Sequence, residues 1–271
     1  MNRSFLRVLP AIAAIAVIVP AALAAGGSAA EGQPLLPDLD QETPNGLVIS
    51  KAGKAKRGGW RLGFDSAVRN VGDGPLIING RRPSLAEETM SAEQVIENAG
   101  APSTVVPDAG RLRYVRSPDH RHWHLLGFDH YELRRAGSTD ALVRDRKTGF
   151  CLGDRYAVTD RALAAKPPDP VYTSRCGLER STLLGVSEGI SVGYGDDYTA
   201  NLEGQYLSLD RLRPGRYVLV HLVNDNRRLV ESSYDNNASS LLLRLRRRAG
   251  GVPVIRVLAV CPDTEQCTAA R

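Results

Sequence analysis

Arg213-Pro214-Gly215-Arg216-Tyr217-Val218-Leu219-Val220-His221-Leu222-Val223 is the stretch whose reading decides the fold. Pro214-Gly215 makes a tight turn, because proline presets its own φ and glycine accepts backbone angles that a side chain forbids. The run behind it is dominated by β-branched and aromatic residues, and an extended chain puts Tyr217, Leu219, His221 and Val223 on one face. The same punctuation recurs in both directions. Trp60–Val68, Pro75–Ile78, His130–Arg134 and Leu241–Leu245 read as strands separated by Gly, Pro, Asn and Asp turns. Leu62 and Phe64 alternate with polar neighbours, as on a strand with one buried face. One helix is predicted from Ser84 to about Asn98, with Ser84 as its cap and Glu87 and Glu88 in its first turn. Many short strands, long loops and one or two short helices predict an all-β protein, a β-sandwich in one domain of about 210 residues. There is no internal repeat, and no linker supports a split into two domains.

The first thirty residues stand apart. Arg3 and Arg7 precede an apolar run from Leu9 to Ala24, and small residues follow at Ala22-Leu23-Ala24 and near Ala30. Residues 1–30 therefore read as a secretory signal peptide. Pro10 and Pro20 bracket an apolar core shorter than the ~20 residues that span a bilayer, and no later segment qualifies, so the protein is expected not to span a membrane. Residues 31–59, polar and rich in Pro, Gly and Lys, read as an extended lead-in. Of 35 basic residues only five are Lys, and the formal net charge is +5, or +3 without the leader. That weak positive balance suits anionic cell-surface polymers. It does not point to nucleic acid, since no basic helix or aromatic-and-basic motif stands out.

Cys151, Cys176, Cys261 and Cys267 are an even set in a chain expected to be exported, which points to disulfides. Three pairings are open, and proximity favours Cys151–Cys176 and Cys261–Cys267, the second within a C-terminal tail at 249–271. None has the C-x-x-C spacing of a thiolate zinc site.

Four of the five histidines fall within eleven residues: His120, His122, His124 and His130. An H-x-H-x-H cluster in a His-poor chain reads as a metal site for copper, zinc, iron or nickel. On a flat strand His120 and His124 would project about 13 Å apart, at ~3.3 Å per residue. Imidazoles sharing one ion at about 2.0 Å cannot reach across that gap, so the backbone must curl there. Three nitrogens also leave positions open for water, oxygen or substrate, the pattern of a catalytic site.

With these residues in view the chain resembles the lysyl oxidase family. After H-x-H-x-H comes His130-Tyr131-Glu132-Leu133, then Lys147-Thr148-Gly149-Phe150-Cys151-Leu152-Gly153-Asp154. Gly189-Ile190-Ser191, Gly195-Asp196-Asp197-Tyr198, Gln205-Tyr206, Pro214-Gly215-Arg216-Tyr217 and Val230–Asn237 follow in family order. The match runs over roughly 36–246, and a copper domain at 36–248 is expected. The resemblance implies copper on His120, His122 and His124. It also implies a lysine tyrosylquinone cofactor made by cross-linking Lys147 to Tyr198. Read alone, Lys147 is a solvated lysine and Tyr198 a packed strand residue. The implied reaction is oxidation of a primary amine, a peptidyl lysine or a small amine, to an aldehyde. Dioxygen would be consumed, and hydrogen peroxide and ammonia released. Asp196 and His130 are candidate bases. Some family members also bind calcium, and the matching positions are Asp38, Leu39, Glu231, Asn236 and Asn237, oxygen ligands of the right kind. Ser233 stands where the family places another Asp. Tyr194 and Gly204 replace a family disulfide around the cofactor tyrosine, and a family cysteine ahead of the histidines is absent. Two other readings remain: a non-catalytic copper-binding or surface-binding β-sandwich, and a zinc hydrolase, which would want a carboxylate base beside its ligands.

Overall fold

A computed structural model describes residues 31–52, 59–117, 120–145 and 149–268. The expected signal peptide, 1–30, and Lys147 lie outside the described residues. In chain order the strands are β1 (Pro34–Leu35), β2 (Leu39–Gln41), β3 (Asn45–Lys51), β4 (Trp60–Asn70), β5 (Leu76–Arg81), β6 (Thr89–Asn98) and β7 (Ala101–Tyr114). Then come β8 (Trp123–Leu126), β9 (Asp129–Arg135), β10 (Ala141–Arg144), β11 (Gly149–Phe150), β12 (Tyr156–Ala157) and β13 (Gly185–Ile190). The last are β14 (Tyr194–Tyr198), β15 (Tyr206–Ser208), β16 (Gly215–Val223), β17 (Ala238–Arg247) and β18 (Pro253–Cys261).

They form three antiparallel sheets, ordered β11-β8-β7-β6-β5-β13 with β1 on β6, β10-β9-β16-β17-β18, and β12-β14-β4-β15 with β2 and β3 on β4. One core joins them. Leu62 and Phe64 of β4, Ile78 of β5, Met90 of β6, Leu125 of β8, Tyr131 and Leu133 of β9 and Leu219 of β16 are all buried in it. Phe64 meets Tyr131 edge-on at 4.8 Å between centroids, a favoured aromatic geometry that ties two of the sheets. The strand that opened the sequence reading is buried on both faces. Tyr217, Leu219, His221 and Val223 face the main core. Val218, Val220 and Leu222 face a second cluster with Leu242 and Cys267. The tail covers that side: β18 pairs with β17, and Cys261–Cys267 closes a disulfide over it.

The predicted helix from Ser84 to Asn98 does not form. Among the described residues the one helical element is a 3-10 turn at Ala249–Gly251. Ser84 caps only a turn, taking the Ala86 and Glu87 amides on its hydroxyl and carbonyl. From Thr89 the buried positions are Met90, Ala92, Gln94 and Ile96, a period of two. That alternation serves β6, which is flanked by β5 and β7; neighbours on both sides outweigh a local helix start.

Candidate metal and cofactor site

The histidines sit where the chain turns from β7 into β8. Val115 donates to the His122 carbonyl at 3.0 Å, and Ser117 and His120 exchange backbone bonds at 2.9 and 3.3 Å. The backbone is irregular from His120 and bends at His122, and β8 begins only at Trp123, so the three histidines do not lie on a flat strand. His120 Nδ1 lies 3.4 Å from His122 Nε2, which lies 2.7 Å from His124 Nε2. One nitrogen from each ring falls within 4.8 Å of the others, with His120 and His124 buried and His122 half-buried. Two nitrogens at 2.7 Å cannot both aim protons at each other, and three lone pairs converging on one point fit a cation bound at about 2.0–2.1 Å. Trp123, between two of the rings in sequence, anchors the segment. It is fully buried, its amide donates to the Cys176 carbonyl at 2.9 Å, and its indole N–H donates to the Arg180 carbonyl at 3.2 Å.

Tyr198, at the end of β14, is clasped rather than merely packed. Its hydroxyl accepts the Cys151 amide at 3.1 Å and stands 3.0 Å from both the Cys151 carbonyl and Asp196 Oδ2, one of which takes its proton. Phe150 meets its ring edge-on at 5.0 Å. Burial, then the neighbouring Asp196 charge, pushes the phenol well above the ordinary tyrosine value. Asp196 is buried, with Arg155 Nε 3.4 Å from its Oδ1. Cys151 is fixed by its disulfide to Cys176. Gly149, two residues after Lys147, lies so close to His124 that an added Cβ would stand 2.9 Å from the histidine Cβ. Cys151, four residues after Lys147, reaches Tyr198. The described chain next to Lys147 therefore touches both the histidine cluster and the tyrosine.

His130 is elsewhere. It lies on the other face of β9 from Asp129 and Tyr131, with Nδ1 3.7 Å from Asp225. The fifth histidine, His221, is fully buried, with Nε2 2.7 Å from Asp129 and Nδ1 2.8 Å from Gln41 Nε2. No motif marked that pair.

The five residues matched to a calcium site also come together. Glu231 accepts the Leu39 amide at 2.7 Å and the Asn237 side-chain amide at 2.8 Å, and Asn236 donates to Asp38 at 2.8 Å. Asn224, which the sequence reading missed, donates to Glu231 at 2.6 Å. Burial raises the Glu231 carboxyl to about 7, outweighing these donors, and burial raises Asp38 as well. Among the described residues, the Oδ1 atoms of Asn236 and Asn237 are buried without a hydrogen-bond partner. Orphaned amide oxygens beside two carboxyls are the donor set that calcium takes. Ser233 Oγ instead accepts the Asp235 amide.

Glu188 and Arg155 are two further residues of the tyrosine site that the sequence reading missed. Glu188 could have been found: it is in phase with Val186 and Ile190 on β13, so an acid there points inward.

The family profile described as Lysyl oxidase matches residues 86–250. Protein-lysine 6-oxidase of Gallus gallus is 29% identical over 145 residues, 53% of this chain and 30% of the relative. The Sus scrofa protein of that name is 28% identical over 145 residues, 53% of this chain and 51% of the relative. Lysyl oxidase homolog 3B of Danio rerio is 29% identical over 133 residues, 49% of this chain and 14% of the relative. The aligned stretches thus span about half or less of these relatives' own length.

Proposed function

Because the chain belongs to the lysyl oxidase family, we propose that it is a copper amine oxidase. It would convert primary amines, peptidyl lysines or small amines, into aldehydes, consuming dioxygen and releasing hydrogen peroxide and ammonia. In this reading His120, His122 and His124 hold copper, and Lys147 and Tyr198 give the lysine tyrosylquinone. When present, that pair supplies an electrophilic carbonyl and a two-electron acceptor re-oxidised by dioxygen.

The rest is done by the chain. The Cys151 amide and carbonyl fix the Tyr198 oxygen, so the ring is held in one orientation. Phe150 packs edge-on against the half-buried ring. Asp196 is the carboxylate at the ring oxygen and is the base that takes the substrate α-proton, with the Arg155 guanidinium 3.4 Å away as its ion-pair partner. His130, on the far face of β9, takes no part. The observation that carries the reading is the convergence of three histidine nitrogens.

A calcium ion on Asp38, Leu39, Glu231, Asn236 and Asn237 is proposed as a structural partner of the lead-in segment. Action outside the cytoplasm, secreted or periplasmic after removal of residues 1–30, is proposed too, and two disulfides suit an oxidising compartment. The test is amine-dependent peroxide release by copper-loaded protein in air. Release that Tyr198→Phe abolishes is expected. Stoichiometric copper with no peroxide from any primary amine would overturn the enzyme reading and leave a non-catalytic copper-binding protein.

A further inference from the structure

Glu188 is a fully buried carboxyl group, and among the described residues neither of its oxygens has a side-chain hydrogen-bond partner. One of them lies within 4.8 Å of both sulfurs of Cys151–Cys176. The groups that face it are few. From β14 come Asp196 and Tyr198; from the segment after β11 come Arg155 and the Leu152 amide; from β8 comes the Leu125 amide. Two acids and, among the described residues, one guanidinium thus meet behind the tyrosine.

The cation is placed asymmetrically. Arg155 Nε is 3.4 Å from Asp196 Oδ1, and Arg155 Nη2 is 3.3 Å from Cys151 Sγ. Tyr198 adds a hydroxyl on the other oxygen of Asp196. Asp196 therefore has side-chain partners on both oxygens, whereas Glu188, among the described residues, has no side-chain hydrogen-bond partner. An unpaired buried charge is far costlier than a proton retained, so of the two acids Glu188 keeps its proton. Burial, and then the Asp196 charge, raises Glu188 well above the ordinary carboxyl range, while the Leu152 and Leu125 amides and Arg155 oppose this.

We propose that Glu188 and Asp196 form an acid–base pair holding one proton, with Arg155 as the group that assigns the proton to Glu188 and the charge to Asp196. Neighbouring acids pushed apart by their environments take opposite roles. Asp196 stays ready to accept a proton beside Tyr198. Glu188 is a positioning residue whose neutrality protects that charge. When Glu188 ionises at alkaline pH, a second anion appears beside Asp196, and the base is disturbed. Glu188 thereby sets the upper pH limit of the site. The consequence for turnover rests on the amine-oxidase reading; the location of the proton does not.

Two measurements separate these claims. In copper-free protein at neutral pH, infrared difference spectra should contain a protonated-carboxyl C=O stretch that Glu188→Gln removes and that Arg155→Gln moves or splits. Absence of a Glu188-dependent band would overturn the proton assignment, whether or not the protein oxidises amines. In copper-loaded protein, the wild-type rate of amine-dependent peroxide release should fall at alkaline pH, about tenfold per pH unit beyond the limit. Glu188→Gln, neutral at every pH and near in shape to the acid, should keep a higher ratio of alkaline to neutral rate. An unchanged ratio, with the infrared band present, would overturn the pH-limit role.

Discussion

Glu231 offers a stability test that can be worked through in numbers. The carboxyl is 5% exposed, accepts three hydrogen bonds, and is raised by burial from 4.5 to about 7. A raised acid keeps its proton in the folded state over a range where the unfolded chain has released it. Its contribution is thus most favourable below pH 4.5 and declines until about pH 7, where the folded group ionises too. At ~1.36 kcal/mol per unit, that window is worth about 3 kcal/mol. The perturbation is Glu231→Gln, which cannot titrate. It leaves the Leu39 amide facing an NH2 group, a pH-independent cost of about 1–3 kcal/mol. Urea unfolding of both proteins in chelator, across this window, should show wild-type stability falling by about 3 kcal/mol relative to the variant as pH rises, so that the two curves converge or cross. Parallel curves would refute the assignment of a buried, proton-holding Glu231. Calcium should then stabilise the wild type above pH 7 by about 2.7 kcal/mol at a hundred times its dissociation constant, and the variant far less.

Three other outcomes follow from the same geometry. Replacing Cys151 and Cys176 by serine removes a link between residues 25 apart, which should lower stability by about 3–4 kcal/mol in chemical denaturation. It should also impair cofactor formation at a temperature where the variant is still folded, because Cys151 holds the Tyr198 oxygen. His221→Leu strands Asp129 without its imidazole in the core and should cost about 3–5 kcal/mol. Asp129→Leu combined with His221→Leu should recover most of that loss, and an additive double variant would contradict the pairing. His122→Ala should abolish tight copper binding, read by metal analysis after dialysis, while leaving the far-ultraviolet β-sheet signal unchanged.

Much of this was legible in the chain because the signals are local. Tyr217, Leu219, His221 and Val223 alternate over a strand long enough for a period of two to be unambiguous. The spacing of His120, His122 and His124, set against the reach of an imidazole, required the backbone to leave a flat strand, and the chain does bend at His122. Thr89–Asn98 misled because Ser84, Glu87 and Glu88 imitate a helix start, whereas its conformation is set by β5 and β7. The carboxyl pair at Asp196 and Glu188 was half visible. Asp196 stood in a motif, but Glu188 and Arg155 join it only through tertiary contacts across strands. The pairing of Asp129 with His221, 92 residues apart, carries no local signal at all.

The central claim is that the histidine cluster and Tyr198 make one cofactor site with Lys147. Intact mass and peptide mapping of the mature chain, before and after copper loading in air, test it most directly. A covalent peptide joining Lys147 to Tyr198, formed only with copper and absent from Tyr198→Phe, is the expected result. Copper bound by the histidines with both residues recovered unmodified would contradict it.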